Sequence, residues 1–348
     1  MDVVLEIADT FVGDYVYANL LPVRPSPYGL ADGSSNATAG DQVFSTWTYT
    51  PATDYFALEP SEYAYQSAWP RDNIWRQALS LYLIVWFFGI LLYFIFATLS
   101  YAFVFDKKTL QHPKYLRNQM TLEIKQTMGA MPGMSFCTML MMLLEVRGYT
   151  KLYDTCADAP FGAYTWLQFP FFILFTDFGI YWIHRWLHHP LIYKRLHKPH
   201  HKWIMPTPFA SHAFHPLDGF AQSVPYHVFP LIFPLQKIAF LALFIIVNVW
   251  TILIHDGEFV SDNPVINGAA CHSIHHLAFN YNYGQYTTLW DRLGGSYRKP
   301  DASMFIKEEN MSKKQWEKQS KEMEKMVKLV EGEDDRSYDP TPDTKKTK

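Results

Sequence analysis

The chain has 348 residues, of which 49% are hydrophobic and 17% aromatic, and its formal net charge is -3. A nearly neutral chain without a basic stripe argues against a nucleic-acid-binding protein, and three cysteines without a C-x-x-C pair do not make a disulfide framework. The apolar content is high for a soluble protein, since the mean hydropathy of -0.10 averages polar ends with an apolar middle.

Residues 1–77 are predicted to form a polar, loosely ordered head on the lumenal side of a membrane. They contain ten acidic residues, three arginines and no lysine, and residues 24–40 are rich in turn-forming residues. No signal-peptide apolar region follows Met1, so we expect no cleavable signal peptide. Asn36 begins a glycosylation sequon, which is usable only if this segment faces the lumen.

The segment 78–183 is predicted to form membrane-spanning helices. Residues 78–105 run for 28 positions without a charge, whereas a bilayer core requires about 20. Two further spans are expected at about 127–144 and 161–183. Basic residues concentrate in the loop 106–126, so the positive-inside rule places that loop in the cytosol and the N-terminus in the lumen.

Thirteen of the fourteen histidines lie between His184 and His276, where three motifs repeat at helical spacing. The first is H-x3-H and the other two are H-x2-HH, so imidazoles share a helix face in each. Imidazole binds zinc, copper, iron and nickel, and eight such residues exceed the three or four ligands of one zinc site. We therefore predict two metal ions with ligands from these motifs: His184, His188, His197, His200, His201, His272, His275 and His276.

Other residues near the motifs are candidates for supporting roles. Since no Glu-x-x-His motif is present, a histidine-only di-iron centre remains the expected form. Asp177 lies on the same predicted helix face as His184, and we expect it to accept a hydrogen bond from an imidazole. His189, His212 and His215 are candidates for the surroundings of the metal or for the substrate mouth, and the last two could also bind metal.

The predicted catalytic region, residues 184–300, is interrupted by an apolar stretch at about 217–254. If this stretch crossed the membrane once, the third motif would lie on the opposite face from the first two, and no shared metal centre could form. We therefore predict a hairpin of two apolar legs. The prolines and Gln236-Lys237 within it suit legs that enter and leave on one side.

The histidine motifs and their surroundings resemble the membrane-bound fatty acid hydroxylase superfamily, and within it the fungal sterol C-5 desaturases. The similarity covers roughly residues 70–330. It includes DFGIYWIHRWLHHPLIYKRLHKPHHKW, SHAFHPLDGFAQSVPYH, HDGE and HSIHHLAFNYNYGQYTTLWDRLGGSYRKP. The histidine boxes define the superfamily, and the other residues of these segments resemble the sterol C-5 desaturase branch.

This resemblance implies an integral enzyme of the endoplasmic-reticulum membrane, surrounded by membrane lipid. It implies two iron ions, O2, and electrons from cytochrome b5 and its NAD(P)H-dependent reductase, used to make the 5,6 double bond of a Δ7-sterol in ergosterol biosynthesis. It also implies that His255, in HDGE, is a further metal ligand. The superfamily often has another histidine shortly after this position, where the present chain has FVSDN, so the remaining ligands stay open.

Residues 301–348 are predicted to form a charged, solvated cytosolic tail. Residues 311–331 have the pattern of an amphipathic helix, with Ser312 as its N-cap and Gln315 completing a capping box. The chain ends in KKTK, which resembles a dilysine retrieval signal recognised in the cytosol.

The predicted fold is all-α, with about four apolar membrane helices under a cytosolic helical cap that holds the histidine-rich di-iron centre. Three alternatives remain open. A C-4 methylsterol oxidase or a fatty acid hydroxylase would share every box. A zinc transporter or zinc hydrolase could use the same histidines, and metal analysis would separate it from an iron enzyme. The third alternative, a non-enzymatic membrane scaffold, is disfavoured by the intact boxes.

Overall fold

The computed structural model of the protein describes residues 1–23 and 47–338, and nearly all of the regular structure is helical. Within these residues, the strands β1 (Leu152–Tyr153) and β2 (Leu235–Gln236) pair in parallel over two residues each. The predicted helical class is therefore confirmed for this part of the chain. The Asn36 sequon and the KKTK terminus lie outside the described residues.

The start of the chain is helical, which differs from the loosely ordered head predicted for it. Buried ion pairs are the physical reason. The Arg76 guanidinium donates to Asp9 at 2.8 Å and to Asp14 at 2.7 Å, and Arg71 also pairs with Asp14. The acidic residues therefore fix this segment onto the beginning of the first membrane helix, because buried charges are stable only when paired. The segment consists of the α-helices α1 (Asp2–Ala8) and α2 (Asp14–Leu20), joined by a π-helical turn (Asp9–Gly13).

Among the described residues, three helices are long and apolar enough to cross a membrane, and each overlaps one predicted span. The side chain of Asn73 caps the first by accepting hydrogen bonds from the backbone N–H groups of Trp75 and Arg76. Pro132 and Pro170 lie inside the second and third, which membrane helices tolerate. The three helices are α3 (Ile74–Phe103), α4 (Gln119–Val146) and α5 (Tyr164–Leu187).

The first two histidine boxes lie where α5 ends and the chain turns into two short helices. These are α6 (Pro190–Leu196) and α7 (Lys198–His201). This region packs against the beginning of α4, where the Gln126 side chain donates to the carbonyl oxygens of Pro199 and Ala213. The box end of the bundle is therefore the end at which α4 begins and α5 terminates.

The apolar stretch between the second and third boxes forms the two helices α8 (Pro216–Ile232) and α9 (Lys237–Leu253). Helix α8 packs along α4 and α5, and α9 packs along α3. The approach of α8 to α5 requires a glycine, because a Cβ at Gly179 would lie 2.6 Å from Cγ of Pro225. The connection between α8 and α9 carries β2 and pairs with β1, which follows α4. The chain thus travels to the far end of the bundle and returns to the box end, as a two-legged hairpin requires.

The last part of the described chain packs on the third box. Ser312 accepts a hydrogen bond from the N–H of Gln315 at 3.2 Å, so the predicted N-cap is present. The predicted solvated tail is not observed for the helix that follows, because its apolar face is buried: Met323 and Val327 pack beside Leu277. The helices of this part are α10 (Ala269–Ala278), α11 (Leu289–Leu293), α12 (Lys307–Asn310) and α13 (Lys313–Val330).

Candidate metal centre

Nine histidines lie together at the box end of the bundle, and they are the nine that the sequence analysis proposed as ligands. They form two adjacent groups, and within each group the ligand nitrogens lie within 4.8 Å of one another. Eight of the nine side chains are buried, and His188 is partly buried. The first group consists of His184, His188, His197, His201 and His275, and the second of His200, His255, His272 and His276.

Helical geometry distributes the boxes between the two groups. Residues four apart share a helix face, whereas adjacent residues point about 100° apart. Accordingly His197 and His201 belong to the first group, while the neighbouring His200 belongs to the second. The third box is arranged in the opposite sense, with His272 and His276 in the second group and the intervening His275 in the first. Each H-x2-HH motif therefore supplies both groups.

The spacing of the ring nitrogens fits coordination to shared metal ions. Nε2 of His184 lies 3.1 Å from Nε2 of His197, and Nε2 of His255 lies 2.9 Å from that of His272 and 3.4 Å from that of His200. A zinc–imidazole bond is about 2.0–2.1 Å long, so two nitrogens on one ion at roughly 90–110° are roughly 2.9–3.4 Å apart. The donor set and its spacing therefore fit two metal ions.

Hydrogen bonds on the outer side of the rings fix which nitrogen faces the cluster. Nδ1 of His184 lies 2.9 Å from the Tyr283 carbonyl oxygen, and Nδ1 of His275 lies 2.7 Å from the Tyr281 carbonyl oxygen. A carbonyl only accepts, so these Nδ1 atoms carry the proton and each Nε2 keeps its lone pair. Nε2 of His275 is buried and has no hydrogen-bond partner among the described residues, as expected for a nitrogen that binds a metal.

Burial also favours the neutral form that metal binding requires. The pKa values of His200, His272 and His276 lie well below the ordinary value of a histidine. The main cause is desolvation by burial, and the second is repulsion from neighbouring imidazoles. Neutral imidazole is the ligand form, because the lone pair must be free. The cluster is therefore prepared for metal at neutral pH.

Asp218 supports the cluster, and the sequence analysis missed it. Its Oδ2 accepts a hydrogen bond from Nδ1 of His197 at 2.8 Å, and both side chains are fully buried. The Gln222 side chain donates to the other oxygen at 2.9 Å. A carboxylate behind a ligating imidazole orients the ring and raises its basicity. The sequence feature that could have identified Asp218 is an isolated acidic residue at the start of an apolar stretch, in SHAFHPLDG.

Asp177 does not contact an imidazole, in contrast to the prediction. Its carboxylate accepts hydrogen bonds from the backbone N–H groups of Gln285 and Tyr286, at 3.0 and 2.8 Å, and from the Thr287 hydroxyl. This helix position faces the loop after the third box, where several N–H groups converge on one carboxylate. Asp177 therefore anchors that loop and supports the cluster only indirectly.

The remaining candidate histidines lie outside the two groups. His189 and His215 cap helices, because each Nδ1 accepts a hydrogen bond from the N–H two residues ahead, at the starts of α6 and α8. His227 is buried, with Nδ1 3.8 Å from a carboxylate oxygen of Glu145. His212 lies in the wall of a cavity that reaches the cluster.

This cavity has a volume of about 360 Å³ and extends from the histidines into the bundle between α3, α4, α8 and α9. His184, His200 and His255 line one end, and Met142 and Val4 line the other. Its wall is mostly apolar, and its volume falls within the range of about 300–1,000 Å³ typical of small-molecule sites. A hydrophobic molecule within the membrane helices can therefore approach the cluster.

Membrane-length helices with a histidine cluster at one end of an apolar cavity define a class, the histidine-box membrane proteins. Comparison with known proteins agrees with this class. Residues 169–296 match the model of the fatty acid hydroxylase family. No solved structure is significantly similar to the chain.

Full-length relatives specify the branch. The chain is 67% identical to "Probable Delta(7)-sterol 5(6)-desaturase" of Neurospora crassa over 100% of both chains, and 62% identical to a Delta(7)-sterol 5(6)-desaturase of Aspergillus fumigatus over 97% of both. It is 48% identical to the Delta(7)-sterol 5(6)-desaturase of Saccharomyces cerevisiae, over 99% of this chain and 100% of the relative. The chain belongs to the Delta(7)-sterol 5(6)-desaturase family, and the resemblance seen in the boxes is confirmed.

Proposed function

We propose that this protein introduces the 5,6 double bond into a Δ7-sterol, using two iron ions held by the nine clustered histidines. One observation carries the proposal: the cluster closes one end of an apolar cavity inside the helical bundle. The printed names of the full-length relatives specify the reaction and the class of substrate. The histidines predicted from the sequence and Asp218, which was identified in the structure, then have complementary roles.

Iron supplies the activation of dioxygen that removal of hydrogen from an unactivated carbon requires. Overall, the sterol loses two hydrogens, O2 takes up these together with two electrons and two protons, and two molecules of water form. We assign the electrons to cytochrome b5 and its NAD(P)H-dependent reductase. The nine histidines would hold the metals, Asp218 orients His197, and the apolar wall excludes water from the reacting carbons. No side chain has to act as a nucleophile.

The shape of the cavity supports an elongated, rigid and mostly hydrocarbon substrate. Cavity-lining residues extend along α9 from Leu241 to Thr251, and then to Ile254 just beyond its end. At about 1.5 Å per residue this is roughly 20 Å along the helix. Desaturation also requires both hydrogens to face the oxidant, and a rigid ring system held along its length meets that requirement better than a flexible chain.

We assign the cluster and the helices around it to a cap on the cytosolic face of the endoplasmic-reticulum membrane. The basic loop after α3 supports this assignment, because it lies at the same end as the cluster and the C-terminal helix. Lys114 in that loop pairs with Glu324 of α13 at 2.7 Å. By the positive-inside rule this end faces the cytosol.

Complementation tests the activity. The chain is expressed in a yeast strain that lacks its own C-5 desaturase, and extracted sterols are scanned in the near ultraviolet, where 5,7-dienes absorb and Δ7-monoenes do not. We expect the diene absorbance to return. If the protein is present in the membrane and loaded with iron but no diene forms, the assignment is wrong. Metal analysis of the purified protein separates iron from zinc.

A further inference from the structure

The wall of the cavity contains a hydrogen-bonded polar pair, His212 and Asn248, in mostly apolar surroundings. Nε2 of His212 lies 3.2 Å from Oδ1 of Asn248. Asn248 belongs to α9, and His212 lies in the segment before α8, so the pair joins α9 to that segment. Neither residue belongs to the nine-histidine cluster.

The protons in this pair are fixed by its neighbours. The Asn248 amide nitrogen donates to the carbonyl oxygen of Phe244 at 2.7 Å, so the amide oxygen is the atom that faces His212. That oxygen only accepts, and Nε2 of His212 must therefore carry the proton. Nδ1 is then an acceptor, and the Ser211 hydroxyl donates to it at 3.0 Å. His212 therefore holds Asn248 in one orientation and is unavailable as a metal ligand through Nε2.

Asn248 keeps unused hydrogen-bonding capacity on the cavity side. Its amide nitrogen has two N–H groups, and its amide oxygen has two lone pairs. Among the described residues, Asn248 uses one N–H to bond Phe244 and one lone pair to bond His212. One donor and one acceptor remain. This pair of functions matches a hydroxyl group, which both donates and accepts.

The position of Asn248 fits the geometry of the proposed reaction. It lies seven residues before His255, which places it about 10 Å away along α9 on nearly the same face. A sterol has its hydroxyl on carbon 3, two bonds from carbon 5, so the hydroxyl oxygen lies at most about 4 Å from that carbon. When carbons 5 and 6 face the cluster, the hydroxyl is consequently buried nearby. A buried hydroxyl requires a partner.

We propose that Asn248 binds the 3-hydroxyl of the sterol and that His212 is the positioning residue for it. This rests on the proposed function, since it presumes that carbons 5 and 6 react. Asn248 then sets the depth at which the sterol rings enter the cavity. It also distinguishes free sterols from molecules without this hydroxyl.

The test compares a Δ7-sterol with its 3-deoxy analogue in microsomes, with the 5,7-diene absorbance as the readout for both. For the wild type, kcat/KM should be roughly 10-fold or more higher with the hydroxyl present, as a lost hydrogen bond in a buried site predicts. In Asn248→Leu the ratio should fall to within about threefold of unity. His212→Phe should lower the ratio with bound iron unchanged.

Gln285→Leu is the matched control, because it removes another amide from the same cavity wall. It should preserve the wild-type ratio. If the wild-type enzyme uses both substrates equally, the proposal is wrong whatever the variants show. The proposal is also wrong if the ratio of the two kcat/KM values is lost in Gln285→Leu but kept in Asn248→Leu. If the wild type forms no diene from either substrate, the proposed function fails instead.

Discussion

In four of the clustered imidazoles, a hydrogen bond at the outer nitrogen determines which inner atom is available to a metal. Carbonyl oxygens of Thr251, Tyr281 and Tyr283 hold the Nδ1 protons of three histidines, and the Asp218 carboxylate holds a fourth. A neutral imidazole has one proton, so each of these rings presents the lone pair of Nε2 to the cluster. Three backbone carbonyls and one carboxylate therefore orient clustered imidazoles from outside the cluster.

Loss of one clustered histidine should abolish activity, because each ligand removed opens a position on a metal. We expect this for His188→Ala, His200→Ala and His275→Ala, with each protein still inserted in the membrane, since no apolar helix is changed. Sterol desaturation in microsomes and iron content after purification are the measurements. His189→Ser is the control, because it changes an exposed histidine outside the cluster and keeps a residue that caps α6. Near-normal turnover in all three cluster variants would contradict the ligand assignment.

Asp218→Ala should weaken metal binding or activity by roughly 10- to 100-fold, since the ring of His197 loses the carboxylate that orients it. Asp218→Asn, which keeps an oxygen acceptor, should have a smaller effect. Retention of iron during dialysis against a graded chelator measures the difference. The exposed Asp262 supplies the control Asp262→Ala. Equal iron retention by Asp218→Ala and this control would exclude a role for Asp218.

Among the secondary-structure elements, α13 stabilises the boxes from outside. Beyond its end, Arg336 donates to the His201 carbonyl oxygen at 3.0 Å and pairs with Glu331, and Glu331 accepts a hydrogen bond from the Tyr193 hydroxyl at 2.9 Å. The apolar face of α13 meanwhile covers α10. The helix therefore joins the second box to the third, and its charged face alone is solvated.

Met323→Ala should lower the free energy of unfolding by roughly 2–5 kcal/mol, because it leaves a cavity between α13 and α10. The same helix offers the control Leu329→Ala, since Leu329 is 71% exposed. That change should stay within about 0.5 kcal/mol of the wild type. Thermal inactivation of detergent-solubilised protein measures both variants. Matching inactivation temperatures for the two variants would show that α13 is not docked in solution.

In the whole molecule, the cluster depends on the path of the chain through the bundle. Helix α8 leads away from the box end and α9 leads back, so His255 and the third box meet the first two. The basic loop after α3 reaches the same end, where Asp106 pairs with Lys307 at 3.1 Å and Leu116 forms a bridge with Tyr338. Loop, boxes and C-terminal helix must therefore share one side of the membrane.

This shared side predicts the topology: a lumenal N-terminus and a cytosolic C-terminus. Protease treatment of sealed microsomes should remove a tag at the C-terminus and spare one at Met1 until detergent is added. Digestion of the Met1 tag in sealed vesicles, or protection of the C-terminal tag, would contradict the topology. A tag in the loop 106–118 should behave like the C-terminal tag and serves as the internal control.

The sequence by itself identified the membrane spans and eight of the nine clustered histidines from local periodicity, whereas His255 was expected only from the resemblance to a known family. An uncharged run long enough for a bilayer core and imidazoles four residues apart on a helix are properties of short segments. The requirement that all boxes reach one metal centre then fixed the hairpin by parity. Even the division of each H-x2-HH box between two groups follows from the angle between adjacent residues of a helix.

Only the tertiary structure decided the partners of isolated polar residues and of amphipathic faces. Asp177 and Asp218 are both single acids in apolar helices, but one faces a loop and the other an imidazole. The acidic residues before Arg71 and the charged helix α13 both suggest solvated segments, yet each buries one side against the bundle. Sequence spacing specifies which face of a helix a side chain occupies. What packs on that face depends on contacts between residues far apart in the chain.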